Sequence, residues 1–325
     1  MMGASTVLEL YKPQIAEVFA QAADKGVKLV WLQGQSDSGC TVSLIQGTHP
    51  DLYDAVLKLN VNIMFHPTIM VPSGEEAASV LQTITPDVLV VEGSIPTGEK
   101  KHACVVGEVG GREIILEDCL KDLAAKTKVA VVAVGNCAAF GGIPAGKPNP
   151  TNAKSVSGVL GKTVVNIPGC PAHPDWVLLT LASVLIGVMP TLDALGRPTA
   201  FFGVKLHDEC PRRGFYDAGK YAENLSDEGC LINLGCRGPV TLADCASRKW
   251  NGGMNMCTNA GAPCIGCTHP EFPDKVSPFY VRTEALPDFY THEFFKYFTG
   301  AVTAGLAGYV ALDAVNRRRK AKEEK

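Results

Sequence analysis

The first regular pattern in the chain is Val27-Lys-Leu-Val-Trp-Leu32, a short apolar run ending in the polar, glycine-bounded stretch Gly34-Gln-Ser-Asp-Ser-Gly39. Similar runs recur at Asn62 to Phe65, Val88 to Val91, Val129 to Val134 and Thr163 to Ile167. Runs of this length, rich in branched residues and bounded by turn residues, read as strands buried on both faces. Segments with helical period lie between them, at Val42 to Gln46, Glu75 to Thr83 and Leu116 to Ala125, and an apolar helix spans 174–188. A weaker helical pattern (Ile15, Val18, Phe19, Ala22) precedes the first strand as a peripheral helix. Apolar strands alternating with helices predict an α/β fold built on a doubly wound parallel sheet.

Beyond Pro190, Gly196 and Pro198 the pattern changes. The second half has little periodicity, much Gly and Pro, and most of the cysteines. This divides the chain into 1–195, the sheet domain; 196–290, a smaller irregular domain; and 291–325, a helix with a basic tail. In the last zone Tyr297 to Leu312 is uncharged and is followed by Arg317-Arg-Arg-Lys320. Sixteen residues fall short of the roughly twenty that span a bilayer. A helix packed on a partner, an interfacial anchor with a basic flank and a frayed tail all remain open.

Composition narrows the function. At 325 residues and a formal charge of −3, the chain has a sizeable core and no extended basic face for nucleic acid. The N-terminus lacks a charged segment followed by an apolar one, and it has no twin-arginine pair, so a cytoplasmic location is expected. Twelve cysteines in a reducing compartment favour metal ligation over disulfides. Seven of them, Cys210, Cys230, Cys236, Cys245, Cys257, Cys264 and Cys267, fall with His207 inside residues 207–267. Eight such ligands suffice for two four-ligand centres, of zinc or of iron and sulfide. A zinc module usually shows two paired motifs. Only Cys264-Ile-Gly-Cys267 has that form, and scattered ligands suit iron–sulfur clusters better.

The remaining unusual residues follow the carboxyl ends of strands, the binding edge of an open α/β sheet. Asp37 and Cys40 follow the first strand, Glu92 the third, Cys137 the fourth and Cys170 the fifth. Cys40, Cys137 and Cys170, with Asp37, could converge on a third centre, although each cysteine alone could be a small core residue. From spacing alone Asp37 reads better as a helix N-terminal acid than as a ligand. Glu92, in a glycine-bounded turn, is either a satisfied acid or a proton-handling group. Cys104 and Cys119 have no such placement and read as structural. Gly34-x4-Gly39-Cys40-Thr41 has the outline of a phosphate loop, but cysteine stands where the lysine belongs. No nucleophile is paired with a base. A chain with three centres and no evident substrate pocket reads as an electron wire, and a zinc-stabilised scaffold is the alternative.

From Trp31-Leu-Gln-Gly-Gln-Ser to Cys-Ile-Gly-Cys-Thr-His-Pro-Glu-Phe-Pro-Asp274 the chain resembles the small, electron-transferring subunit of [NiFe]-hydrogenases. The matching pieces include Glu92-Gly-Ser-Ile-Pro96, Gly135-Asn-Cys-Ala-Ala-Phe-Gly-Gly142, Pro168-Gly-Cys-Pro171, His207-Asp-Glu-Cys210 and Leu234-Gly-Cys-Arg-Gly-Pro239. The resemblance implies a flavodoxin-like first domain, an H₂:acceptor oxidoreductase as the enzyme, and a large partner subunit that holds the Ni–Fe site. It also implies a dimer of heterodimers, and an acceptor protein or quinone as the electron sink. Carried over, the proximal cluster takes Asp37, Cys40, Cys137 and Cys170. The distal cluster takes His207, Cys210, Cys230 and Cys236, and the medial cluster Cys245, Cys264 and Cys267.

Two positions depart from the common pattern. Asp37 stands where a cysteine is usual, which is similar to the actinobacterial type associated with oxygen-insensitive H₂ oxidation. Glycines, Gly39 and Gly142, stand where another oxygen-tolerant class has extra cysteines. Cys257 stands where many relatives have proline. It therefore supplies a fourth medial ligand and makes three [4Fe–4S] clusters the expectation. If Cys257 is a spectator, the medial cluster is [3Fe–4S].

Overall fold

The computed structural model describes residues 26–48, 51–58 and 60–282. The expected N-terminal helix, the apolar stretch at 297–312 and the basic segment at 317–320 lie outside the described residues.

Five strands form one parallel sheet: β1 (Val27–Gln33), β2 (Val61–Phe65), β3 (Val88–Glu92), β6 (Ala130–Val134) and β7 (Val165–Ile167). A separate antiparallel hairpin, β4 (Val105–Val109) and β5 (Arg112–Ile115), interrupts the sequence. The sheet order is β2-β1-β3-β6-β7. The chain runs outward from β1 to β2, crosses back to β3, and then builds outward the other way. That is the flavodoxin-like order, and its reversal point lies between β1 and β3.

Alternate residues feed two apolar layers, as strand geometry requires. Leu29, Trp31, Val90 and Val132 face one layer, with Trp176 and Leu181. Val30, Leu32, Leu89 and Val131 face the other, with Leu81 and Leu120. β3 and β6 are buried at every residue, and each fully buried Val or Leu contributes about 1.5–3 kcal/mol. The helices that bear on these layers are α1 (Gly39–Ile45), α2 (Leu52–Lys58), α3 (Gly74–Thr83), α4 (Leu116–Lys126), α5 (Gly135–Phe140) and α6 (Pro174–Leu185). Cys119, on α4, packs into the second layer, and Cys104 packs against it half-buried.

Four details differ from the pattern-based reading, the first being the β4-β5 hairpin, which has no apolar run to announce it. Helix α1 starts at Gly39 rather than Val42, so Cys40 lies in its first turn. Glu92 is the last residue of β3, paired with Gln33 and Val134, and does not lie in a turn. Helix α6 ends at Leu185, just before Gly187 at φ +78°. The hairpin carries its signal in Gly110-Gly111, both at positive φ, as a two-residue hairpin turn demands.

The second half consists of short helical turns and loops. It shares the first apolar layer through Phe201, Phe202, Leu206, Ala243 and Cys245. Residues 190–200, where the composition changes, form a structured turn docked on β7: Asn166 N–H donates to Gly196 O at 2.8 Å, and Arg197 pairs with Asp193 at 2.7 Å. The halves are also joined by Trp176 Nε1, which donates to Asp244 Oδ1 at 2.7 Å, while Asp244 Oδ2 holds Arg248 at 2.7 Å.

Candidate metal centres

The first centre forms at the sheet's reversal point. Asp37 and Cys40 come from the loop and helix after β1, Cys137 from α5 after β6, and Cys170 from the loop after β7. The three thiols lie close enough to raise one another's cost of ionisation, and the Asp37 charge adds to it at Cys137 and Cys170. Burial is the larger cause: it pushes all three thiols up, Cys137 to about 11. Backbone donors already aim at the sulfurs, Ala172 N–H at Cys40 Sγ (3.5 Å) and Ile143 N–H at Cys137. Glycine is needed on the rim. A Cβ on Gly135 (φ +86°) would lie 2.5 Å from Cys40 Sγ, and one on Gly142 (φ +53°) 2.7 Å from Cys137 Sγ.

Asp37 is exposed, and its Oδ1 accepts the Gly39 N–H at 2.8 Å. This is the local turn that an Asx residue forms before a helix. The expected N-terminal acid is therefore present, and the same carboxylate faces the thiol group. Among the described residues Oδ2 carries no hydrogen bond.

Glu92 is 1 % exposed and accepts six hydrogen bonds. Oε1 takes Ser36 Oγ (3.1 Å), Cys40 N–H (3.1 Å) and Thr41 N–H (3.3 Å). Oε2 takes Trp31 Nε1, Gln33 Nε2 and Thr41 Oγ1. Every partner donates, so the site is built around a group that only accepts. Its oxygens lie at the start of α1, where the unpaired N–H groups of a helix need an acceptor. The residue at the N-cap, Ser38, makes no side-chain capping bond. Glu92 has the environment of a satisfied structural acid, and its job is to hold the turn that presents Cys40.

The second half brings its eight predicted ligands into two adjoining groups. In one, Cys230 and Cys236 lie within electrostatic reach of Cys210. Gly238 lies against both Cys236 Sγ and His207 Cβ. His207 is 7 % exposed, and its Nε2 is buried without a partner. Burial, and then the Arg213 guanidinium, hold its imidazole below the usual range, in the neutral form that ligates metal. In the other group Cys245 lies within reach of Cys264 and Cys257, and Cys267 within reach of Cys245 and Cys257. Burial pushes Cys245 and Cys267 up to about 12. Cys257 is the exposed member, though its thiol is also pushed up by burial.

The three groups form a series. The Cys170 backbone amide faces the Cys267 thiol and opposes the upward push of burial on it, which links the first group to the second. Cys264 N–H donates to Cys236 Sγ at 3.4 Å, which links the second to the third. Arg237, 2 % exposed, stabilises this end: its guanidinium binds the carbonyls of Gly235, Val276, Pro278 and Val281. Arg237 is legible in Leu-Gly-Cys-Arg-Gly-Pro. Asn136 and His66 are buried against partners that the sequence pattern does not mark, though Asn136 precedes Cys137 in a conspicuous Gly-Asn-Cys.

The donor chemistry fits iron–sulfur clusters. Buried thiols ionise only against positive charge, which cluster iron supplies, and the glycine rims leave room beside the sulfurs.

A parallel sheet presenting one cysteine group at its reversal point, with two more in series behind it, defines a cluster-type electron-transfer module. The chain belongs to the NiFe/NiFeSe hydrogenase small-subunit family. Residues 202–280 match the C-terminal family of the NiFe/NiFeSe hydrogenase small subunit, and 38–184 match the NADH ubiquinone oxidoreductase 20 Kd subunit family. The chain is similar to the periplasmic [NiFeSe] hydrogenase small subunit of Desulfomicrobium baculatum, 41% identical over 85% of this chain and 93% of that one. The structure of the H₂-activated hydrogenase from that organism matches at TM-score 0.74 and 42% identity, covering 80% of this chain and 100% of that one. The actinobacterial-type NiFe-hydrogenase from Ralstonia eutropha H16 matches at TM-score 0.75 and 31% identity, covering 87% of this chain and 91% of that one.

Proposed function

We propose that this chain is the electron-relay subunit of a [NiFe]-hydrogenase, bound to a large partner that carries out the H₂ chemistry. Three [4Fe–4S] clusters supply the one-electron carriers when bound. Asp37, Cys40, Cys137 and Cys170 would hold the proximal one, and Cys245, Cys257, Cys264 and Cys267 the medial one. His207, Cys210, Cys230 and Cys236 would hold the distal one. Asp37 would ligate through oxygen, a harder donor than thiolate, which alters the potential of that site. The observation that carries the reading is the series itself, in which the Cys170 amide faces the Cys267 thiol and Cys264 N–H donates to Cys236 Sγ.

The chain's own residues do the rest. Glu92 fixes the Cys40 turn, the amides of Ala172 and Ile143 stabilise negative charge on sulfur, and Arg237 braces the distal loop. An acceptor protein or a quinone would take electrons near His207. The large subunit and this chain would assemble as a dimer of heterodimers. Ten cysteines that must stay available as ligands favour a cytoplasmic site, with 297–320 as a peripheral membrane or partner contact. Co-purification tests the reading: a nickel-containing partner and H₂-dependent dye reduction support it, and a chain isolated with stoichiometric zinc opposes it.

A further inference from the structure

The relay needs its first and second centres held in register, and one side chain spans them. Asn136 lies between Gly135 and Cys137 and is 1 % exposed. Its backbone N–H donates to Gly169 O at 2.7 Å, one residue before Cys170. Its Nδ2 donates to Cys267 O at 2.9 Å and to His269 O at 3.0 Å. One residue is therefore the chain neighbour of one proximal thiol, is tied beside a second, and grips the peptide of a medial thiol. The grip lies across 131 residues of sequence. The Cys170 amide faces the Cys267 thiol in the same place.

The amide is the group this geometry requires. Its two protons diverge toward two carbonyls on one turn, where a carboxylate would meet them with like charge and an aliphatic residue would leave both unmatched. Asn136 Oδ1 is buried without a partner. That local cost persists beside the two donated bonds, which marks the donors as what holds the side chain here.

We propose that Asn136 is a positioning residue that fixes the medial Cys267 turn against the proximal Cys137 and Cys170 loops and thereby sets electron passage between these two centres. The inference rests on the ligand assignment given above.

The experiment uses the purified heterodimer with Asn136→Ala and Asn136→Ser, the latter keeping one hydroxyl donor. Four quantities are read: iron and acid-labile sulfide per chain, D₂/H⁺ exchange at the partner's active site, magnetic interaction between the first and second centres, and freeze-quench reduction of the second centre after H₂ addition. Full iron and wild-type exchange are expected in Asn136→Ala, together with a weakened magnetic splitting and reduction slowed roughly 10-fold or more. Asn136→Ser should recover part of both. Wild-type splitting and reduction rate at full iron content overturn the proposal. If Asn136→Ala loses iron, Asn136→Ser carries the test: retained iron with weakened splitting supports the role, and wild-type splitting opposes it. Iron loss in both variants also overturns it, leaving only a structural role. Failure of the ligand assignment appears separately, as full iron content after Cys137→Ala, Cys170→Ala or Cys267→Ala.

Discussion

Cys264 donates its backbone N–H to Cys236 Sγ at 3.4 Å, while Arg237 N–H donates to Cys264 O at 2.7 Å. One backbone-to-sulfur and one backbone-to-backbone bond thus tie the two segments where the second and third groups meet. Each N–H aimed at sulfur favours added negative charge nearby, which is how proteins tune cluster potentials. Cys264-Ile-Gly-Cys267 is the hinge of the series, because its first cysteine reaches the distal group and its last accepts from the proximal one.

In the proposed ligand set Cys257 is the residue that would make the middle centre a four-iron cluster. It is the exposed member of its group, yet it lies within reach of Cys245 and Cys267. Cys257→Ala should convert the medial centre to a three-iron form, seen as a new EPR signal after anaerobic oxidation, with iron falling by about one atom per chain. An unchanged spectrum and iron count would make Cys257 a spectator.

Asp37 should prove to be more than a helix acid. Asn at 37 keeps an oxygen for the Gly39 N–H but loses the charge. Asp37→Asn is expected to shift the proximal midpoint potential in a redox titration while the thermal midpoint changes little. A potential that does not move would leave Asp37 with its capping role alone.

Glu92 is the anchor of the proximal loop. Glu92→Gln turns one acceptor into a donor that faces donors, and the buried groups left unmatched cost about 1–3 kcal/mol each. The expected result is a lower denaturation midpoint with iron lost first from the proximal site. If stability and iron stay at wild-type levels while proton-coupled turnover alone falls, Glu92 is a proton carrier.

These residues also show where sequence reading reached its limit. The five strands of the parallel sheet and the strand-end placement of Cys40, Cys137 and Cys170 were legible, because apolar runs and turn residues are local signals, whereas the half-exposed strands of the β4-β5 hairpin were not. The start of α1 was not, since its first turn is capped by Glu92 from 52 residues away. For the same reason Glu92 looked like a turn residue: only pairing with β1 and β6 reveals that it ends a buried strand. The link from Asn136 to Cys267 likewise exists only once the two halves are packed together.

His66 gives the fold a pH dependence outside the centres. Its ring stacks on Trp31 at 5.0 Å, its Nδ1 accepts the Thr68 N–H, and burial lowers its pKa from 6.5 to about 4. The unfolded chain therefore binds the proton first. Stability from the neutral ring is complete above about pH 6.5 and is lost as pH falls toward 4, about 3 kcal/mol in all. His66→Phe keeps a ring against Trp31 and should flatten the decline in denaturation midpoint between about pH 6.5 and 4.5. A decline as steep as wild type would place the acid sensitivity elsewhere.

The most direct test of the relay is metal and sulfide analysis of the chain purified anaerobically with its partner. Three four-iron clusters require about twelve iron atoms and as many acid-labile sulfides per chain, with absorption near roughly 400 nm that bleaches under H₂. Stoichiometric zinc without acid-labile sulfide would contradict the account.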